Sequence, residues 1–302
     1  MTTATSLRVS ANGLEHRVLE WLPQNATNAG ETPSRAVRTV FLVHGYMDAG
    51  GTWGRLAPAL TAAGHRVLAP DMRGFGAGAR VPLGAYYHFV DYVFDLADLV
   101  EALAPGEPIG LVGHSMGGTI ATLFAGTFPE RVARLVNMEG IGPPTHPWEM
   151  GPLRMRAWID QVRDQRQRGT SSKKPTFTKE EALKRLAMNH PNVPTETLEL
   201  CLPHLAEDAG DGRVAWHFDP LHRTTSPMPF FAELFIEFAK KVTCPVLFVS
   251  GGPMGYHPPD ENERLASFAQ LERAELPDAG HMLHWTQPSK LAPVLVRFLE
   301  AR

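Results

Sequence analysis

Apolar residues along the chain gather into short runs that stop at Gly or Pro: TVFLVHG (39–45), HRVLAPD (65–71), PIGLVGHS (108–115), RLVNMEG (134–140) and CPVLFVSGG (244–252). Runs this short with little polar alternation are what strands buried on both faces require. LERAELP (271–277) predicts a weaker, later strand. Between most of these runs the period lengthens to that of a helix. TWGRLAPALTAAG (52–64) ends on Gly64, and the pattern at 87–103 sets Phe89, Val93, Leu96, Val100 and Leu103 along one face. MGGTIATLFAGTFP (116–129) stops at Pro129, and a last helical pattern occupies 288–302. Strands alternating with helices predict an α/β protein built on a parallel sheet.

The rhythm fails at 141–231. That stretch opens on GIGPPTHPWEMGP, carries two helical patterns (LRMRAWIDQVRDQRQ and KEEALKRLAMNH) and shows little strand signal. FAELFIEFAKK then restores the alternation. The predicted organisation is a core of residues 1–140 and 232–302 interrupted by a mostly helical cap, residues 141–231. Such an insertion lies over the C-terminal sheet edge, where open α/β sheets bind ligands.

Composition narrows the function classes. With 302 residues, 43% hydrophobic and 20% charged, the chain is long enough to bury roughly 75% of its unfolded surface without covalent staples. A balance of 29 basic against 32 acidic residues argues against nucleic acid or a charged membrane as partner. Cys201 and Cys244 have neither paired nor metal-type spacing and read as buried reduced thiols. The first residues lack a basic start followed by an apolar run, and no stretch approaches a membrane span. The expectation is a soluble cytoplasmic protein, monomer or homodimer, with no cofactor and no metal.

The strongest chemical signal is Gly113-His114-Ser115-Met116-Gly117, a G-x-S-x-G motif between a strand and a helix. A sharp strand-to-helix turn strains the backbone at Ser115 and lifts its hydroxyl clear of the sheet. Glycines at 113 and 117 let neighbouring chain pass. The helix's first N–H groups, Met116 among them, then point at any negative charge that develops. A second oxyanion donor is expected from the loop of an earlier strand, where HGYMDAGGTW places the Tyr46 amide; His44 reads as a turn residue.

Taken with PDMRGFGAGAR (Asp71, Arg73, Gly74, Gly76), GHSMGG and DAGHMLHWTQP, these segments resemble the α/β-hydrolase fold over nearly the whole chain. The resemblance implies a mostly parallel eight-stranded sheet with helices on both faces and a cap after the sixth strand. Residues 71–76 read as a structural salt bridge and turn. A serine needs a base, and thirteen histidines make composition no guide. His281 lies on the loop where the family places its catalytic histidine. His284 is the competitor, and a metal role for the two lacks a supporting motif.

The base needs an orienting carboxylate. At the family's commonest position, after PVLFVSGG, stands Met254. Asp260 lies beyond two prolines and reads as a helix N-cap, and Asp278 as a turn residue. Glu139 ends the run RLVNM, 24 residues after Ser115, at the position used by haloalkane-dehalogenase-like members. It is the expected acid; the competing reading is a carboxylate spent on local backbone or on a cap arginine.

The expected function is a serine hydrolase of small or medium carboxylic esters acting through an acyl-enzyme. Alternatives are carbon–carbon bond hydrolysis or lactonase chemistry with the same triad, or a ligand-binding receptor on a hydrolase scaffold. Perhydrolysis is a conceivable side activity. Dehalogenase and epoxide hydrolase activities are disfavoured, because the resemblance implies an Asp nucleophile for both. Trp148, Trp216 and Phe230 are pocket candidates, with Trp158, Phe218 and Phe231 as further cap aromatics. The basic residues Arg154, Arg156, Arg163, Arg166, Arg168, Lys173 and Lys174 read as a solvated face.

Overall fold

A computed structural model describes residues 3–23, 37–171 and 174–301. The chain opens with a hairpin, β1 (Thr5–Ala11) and β2 (Leu14–Trp21), then β3 (Thr39–Val43), α1 (Ala57–Ala62), β4 (Arg66–Pro70) and α2 (Phe89–Leu103). Next come β5 (Ile109–His114), α3 (Met116–Thr127) and β6 (Val132–Met138). The inserted segment holds α4 (Gly151–Ser171), β7 (Phe177–Thr178), α5 (Lys179–Asn189), α6 (Thr195–Leu205), β8 (Ala206–Gly210) and β9 (Arg213–Trp216). Then follow α7 (Ala232–Ala239), β10 (Val246–Ser250), α8 (Glu261–Ala266), β11 (Leu271–Glu275), α9 (Leu283–Thr286) and α10 (Pro288–Glu300).

The main sheet has eight strands in the order β1-β2-β4-β3-β5-β6-β10-β11. Strands β4 to β11 along that order pair in parallel, while β1 and β2 join antiparallel. This is the expected sheet, with the hairpin as an addition that apolar runs alone do not announce. Its turn is Asn12-Gly13, both at positive φ, as a two-residue hairpin loop demands.

Alternation along the central strands feeds two cores. Phe41 and Val43 pack with Ile120, Phe124 and Phe235 on one face of the sheet. Val40 and Leu42 pack with Leu60, Leu295 and Phe298 on the other. The central parallel strands β3, β5, β6 and β10 are therefore buried on both sides, whereas the edge strand β11 is not, and the C-terminal end of each central strand is where the chain can leave the core.

The segment between β6 and α7 adds one feature that the apolar runs in the sequence do not announce. It is mostly helical, as expected, but besides helices it contains a three-stranded antiparallel sheet, β7-β9-β8. It has its own cluster, in which Leu186, Leu198, Leu202 and Val214 pack against Trp285 and Met282 of the chain's last third. Cys201 and Cys244 are buried free thiols, pushed up to about 12 and about 11 by burial. No helix among the described residues is long and apolar enough to cross a membrane.

Candidate active site

Ser115 sits between the end of β5 and the start of α3 with φ 53° and ψ −119°, a conformation non-glycine residues rarely adopt. The surroundings enforce it. A methyl on Gly113 would overlap the Gly117 carbonyl, and one on Gly117 would overlap the Val43 carbonyl of β3. The Ser115 N–H donates to Met138 O at 2.9 Å, tying the turn to the end of β6. Buried Asn137 completes the clamp. Its amide donates to Gly118 O, Thr122 Oγ1 and Gly140 O, and its oxygen accepts from the Gly140 N–H at 2.7 Å.

Glu139 follows β6 directly and is only 1% exposed. Its carboxylate accepts three hydrogen bonds: from Gly251 N–H at 2.5 Å, from Tyr256 N–H at 2.8 Å and from His281 Nδ1 at 2.7 Å. A buried charge without such partners would be strongly disfavoured. With Nδ1 donating to the carboxylate, His281 Nε2 is left to accept the Ser115 hydroxyl, 3.0 Å away. The structure thus brings Ser115, His281 and Glu139 into one hydrogen-bonded line.

The competing acids stand elsewhere. Asp260 does occupy the N-cap position of α8, yet its side chain makes no cap; it pairs with Arg264 at 2.8 Å. Arg264 is fully buried and donates to the carbonyls of Ile141, Gly142 and Pro143, so this pair braces the chain leaving β6. Met254 is half exposed and Asp278 is exposed.

His284 is also accounted for. Its Nε2 lies 3.0 Å from Asp48 Oδ2, both buried, and its ring stacks on Trp53 at 4.3 Å. His44 holds a turn: Nδ1 lies 2.7 Å from Gly45 O and Nε2 accepts from the Met72 N–H. His114 is buried, its basicity pushed well below the usual imidazole range by desolvation, and its Nε2 lies 2.7 Å from His281 O. Asp71 accepts from Arg17 and from the Gly50 and Ala77 amides, and Arg73 pairs with Asp95, a structural use of both residues.

The loop after β3 passes close to the serine. A Cβ built on Gly45 would lie 3.2 Å from Ser115 Cβ, which places the Gly45–Tyr46 peptide beside the nucleophile. Among the described residues no hydrogen bond goes to the Tyr46 amide or to that of Met116, the first residue of α3. Two backbone donors are thus left without a partner next to the hydroxyl.

Ser115, His281, Tyr46 and Met116 open on a cavity of about 450 Å³. The expected pocket aromatics do not line it. Trp148 is 71% exposed and stacks on Phe231. Trp216 stacks on Phe218 beside Phe177. Phe230 fills the space above Gly142, under the Arg264 guanidinium. Tyrosines form the wall instead: Tyr46, Tyr86, Tyr87, Tyr92 and Tyr256, with Phe89. The signal that would have found three of them is the cluster AYYHFVDY, whose tyrosines lie where the chain enters α2. Of the basic residues, Arg156, Arg163 and Arg168 make exposed pairs with Asp160 or Asp164, and Lys174 pairs with Glu207. Arg166 donates to Ala85 O, and Lys173 lies outside the described residues.

With this geometry in place, comparison with known proteins is informative. The family model described as alpha/beta hydrolase fold matches residues 38–288. A probable serine hydrolase of Drosophila melanogaster is 25% identical over 291 residues, covering 92% of this chain and 86% of that protein. A serine hydrolase-like protein of Danio rerio is 30% identical over 178 residues, 59% of this chain and about half (54%) of the relative's length. Among solved structures, a hypothetical protein of Pseudomonas aeruginosa PAO1 superposes with a TM-score of 0.82 at 26% identity, covering 98% of this chain and 99% of that one.

Proposed function

The chain belongs to the alpha/beta-hydrolase family, and from that premise we propose that it is a serine hydrolase cleaving carboxylic esters through an acyl-enzyme on Ser115. The observation that carries this reading is the unbroken line from Glu139 through His281 to Ser115, at 2.7 and 3.0 Å. His281 takes the hydroxyl proton as Ser115 attacks the carbonyl, then returns it to the leaving alcohol. Glu139 keeps the Nδ1–H tautomer and stabilises the imidazolium. The Tyr46 and Met116 amides hold the oxyanion, each worth about 3–4 kcal/mol in the transition state. Water then repeats the sequence on the acyl-enzyme.

In this reading residues 141–231 are the cap, and the partner is a small-molecule ester. His222 and Thr224 of that segment line the cavity beside Ser115, as a lid over a substrate would.

Labelling by a fluorophosphonate probe, run beside hydrolysis of an ester panel, tests the proposal. Wild type should label and turn over, and Ser115→Ala should do neither. Glu139→Gln should lose about 10³–10⁴-fold in turnover, the scale seen when a triad carboxylate is neutralised, without losing its fold. Wild-type protein that is folded but neither labels nor turns over would sink the proposal in favour of a ligand-binding role.

A further inference from the structure

The chain contains five tyrosines, and all five line the cavity that holds Ser115 and His281. Each of the hydroxyls already has a protein partner. Tyr46 donates to His222 O and Tyr256 to Gly142 O. Tyr86 bonds Thr224 Oγ1, Tyr87 donates to Asp219, and Tyr92 approaches His222 Nδ1 at 3.5 Å. With the hydroxyls so engaged, ring surface is what the tyrosines bring to the cavity wall, beside the smaller Thr119, Thr224 and Ser226.

No Lys, Arg or Asp is among the described residues that line it. The one carboxylate there, Glu139, already accepts three hydrogen bonds. Burial pushes all five phenols up, Tyr46 to about 12, so the wall stays neutral at working pH. The rings also meet edge to face. Tyr46 stands against Phe75 at 77° and 5.8 Å, Phe89 against Tyr92 at 62°, and Tyr256 against His281 at 64°. A wall built this way offers both negative ring faces and positive ring edges to whatever enters. Its volume, about 450 Å³, is in the lower half of the range of small-molecule sites.

We propose that the substrate group filling this cavity is a flat, uncharged aromatic ring. This deepens the ester-hydrolase reading and rests on it for the chemistry, though not for the binding. Area burial alone would favour a saturated ring of equal carbon number, which exposes more C–H surface to water. Quadrupole matching favours the aromatic one, and the two effects therefore predict opposite orders.

The test is a pair of neutral isosteres, benzamide and cyclohexanecarboxamide. Each is titrated by calorimetry into wild type and Ser115→Ala, and each is used as an inhibitor of p-nitrophenyl acetate hydrolysis. Benzamide should bind about three- to tenfold tighter in both proteins, the range expected for aromatic pairing beyond burial. Tyr46→Leu and Tyr256→Leu should each shrink that ratio, while Tyr46→Phe, which keeps the ring and loses only the hydroxyl, should retain it. Equal binding, tighter cyclohexanecarboxamide, or a ratio unchanged in both leucine variants would overturn the proposal. Acetate turnover without ring preference would leave the hydrolase standing and remove the aromatic substrate. Ring preference in a protein that hydrolyses no ester would do the reverse.

Discussion

Glu139 holds its place through a backbone that side chains avoid: φ is 49°, in the left-handed region. A single residue there costs about 1–2 kcal/mol, and the three hydrogen bonds to its carboxylate offset that cost. Gly255 is part of the same arrangement, since a methyl at 255 would overlap Glu139 Oε1. Gly255→Ala should therefore move either the carboxylate or the loop that binds it. We expect at least a 10²-fold loss of ester turnover with a change of only a few degrees in melting temperature. Gly54→Ala, where a built Cβ meets nothing within 4 Å, is the control and should leave kinetics unchanged. Asp260→Asn should lower the melting temperature through Arg264 while turnover stays within a few-fold of wild type; a collapse of turnover would return the acid to the later loop. At this scale the sequence was informative about side chains and silent about backbone. A carboxylate ending an apolar run is visible in RLVNMEG. The Gly251 and Tyr256 amides that bind it are not, because a donor N–H belongs to nearly every residue and only the fold aims it.

Elements differ in legibility for a related reason. Strands β3, β5 and β10 are buried along their whole length and leave unmistakable apolar runs. β8, reading AEDAG, is exposed at four of its five residues, and β7 has only two residues, so neither leaves a run. Their hairpin is still marked, since Asp211-Gly212 joins β8 to β9 with both residues at positive φ, as Asn12-Gly13 joins β1 to β2. Turn chemistry locates these hairpins where hydrophobicity cannot. The attachment of the inserted segment was illegible altogether, because it depends on contacts far apart in sequence. Three tyrosines of the cavity wall fasten the stretch 219–224: Tyr87 to Asp219, Tyr46 to His222 O and Tyr86 to Thr224. His222 is sandwiched there between Phe75, at 3.9 Å, and Tyr87, at 4.1 Å. Removing two of these hydroxyls, in Tyr46→Phe/Tyr87→Phe, costs about 1 kcal/mol for each bond lost. Hydrogen exchange should then quicken roughly tenfold or more at the His222 and Thr224 amides, with the main-sheet amides unaffected. Uniform quickening across the sheet would mean that the tyrosines support the whole fold rather than this attachment.

Across the whole molecule, burial of histidines sets how the fold responds to acid. Burial holds His114 well below its usual value and His222 down to about 4; His190, His204 and His217 are depressed in the same sense. For each, the unfolded chain binds a proton that the folded chain refuses, so stability is complete above about pH 6.5 and falls as pH drops toward the folded value. From 6.5 to about 4, His222 alone accounts for about 3 kcal/mol. Carboxylates shifted downward, such as Asp48, where burial is the largest single influence but the hydrogen bonds from His284 and Thr52 and the neighbouring His284 and His44 together outweigh it, act only below about pH 4. His257 is raised by its bonds to Gly252 O and Glu261, but it is mostly exposed and solvent screens it. The window between pH 4.5 and 6 therefore belongs to the buried histidines. Chemical denaturation at half-unit steps across it should give a stability that falls with a slope of more than one proton taken up on unfolding. In His222→Gln the slope should drop by nearly one proton, since glutamine cannot titrate. A flat wild-type profile through this window would mean that the fold holds none of these histidines neutral. An unchanged slope in the variant would mean that the segment holding His222 opens to solvent before the core unfolds. The tyrosine wall, fastened to that same segment, would then be the first part of the site lost in acid.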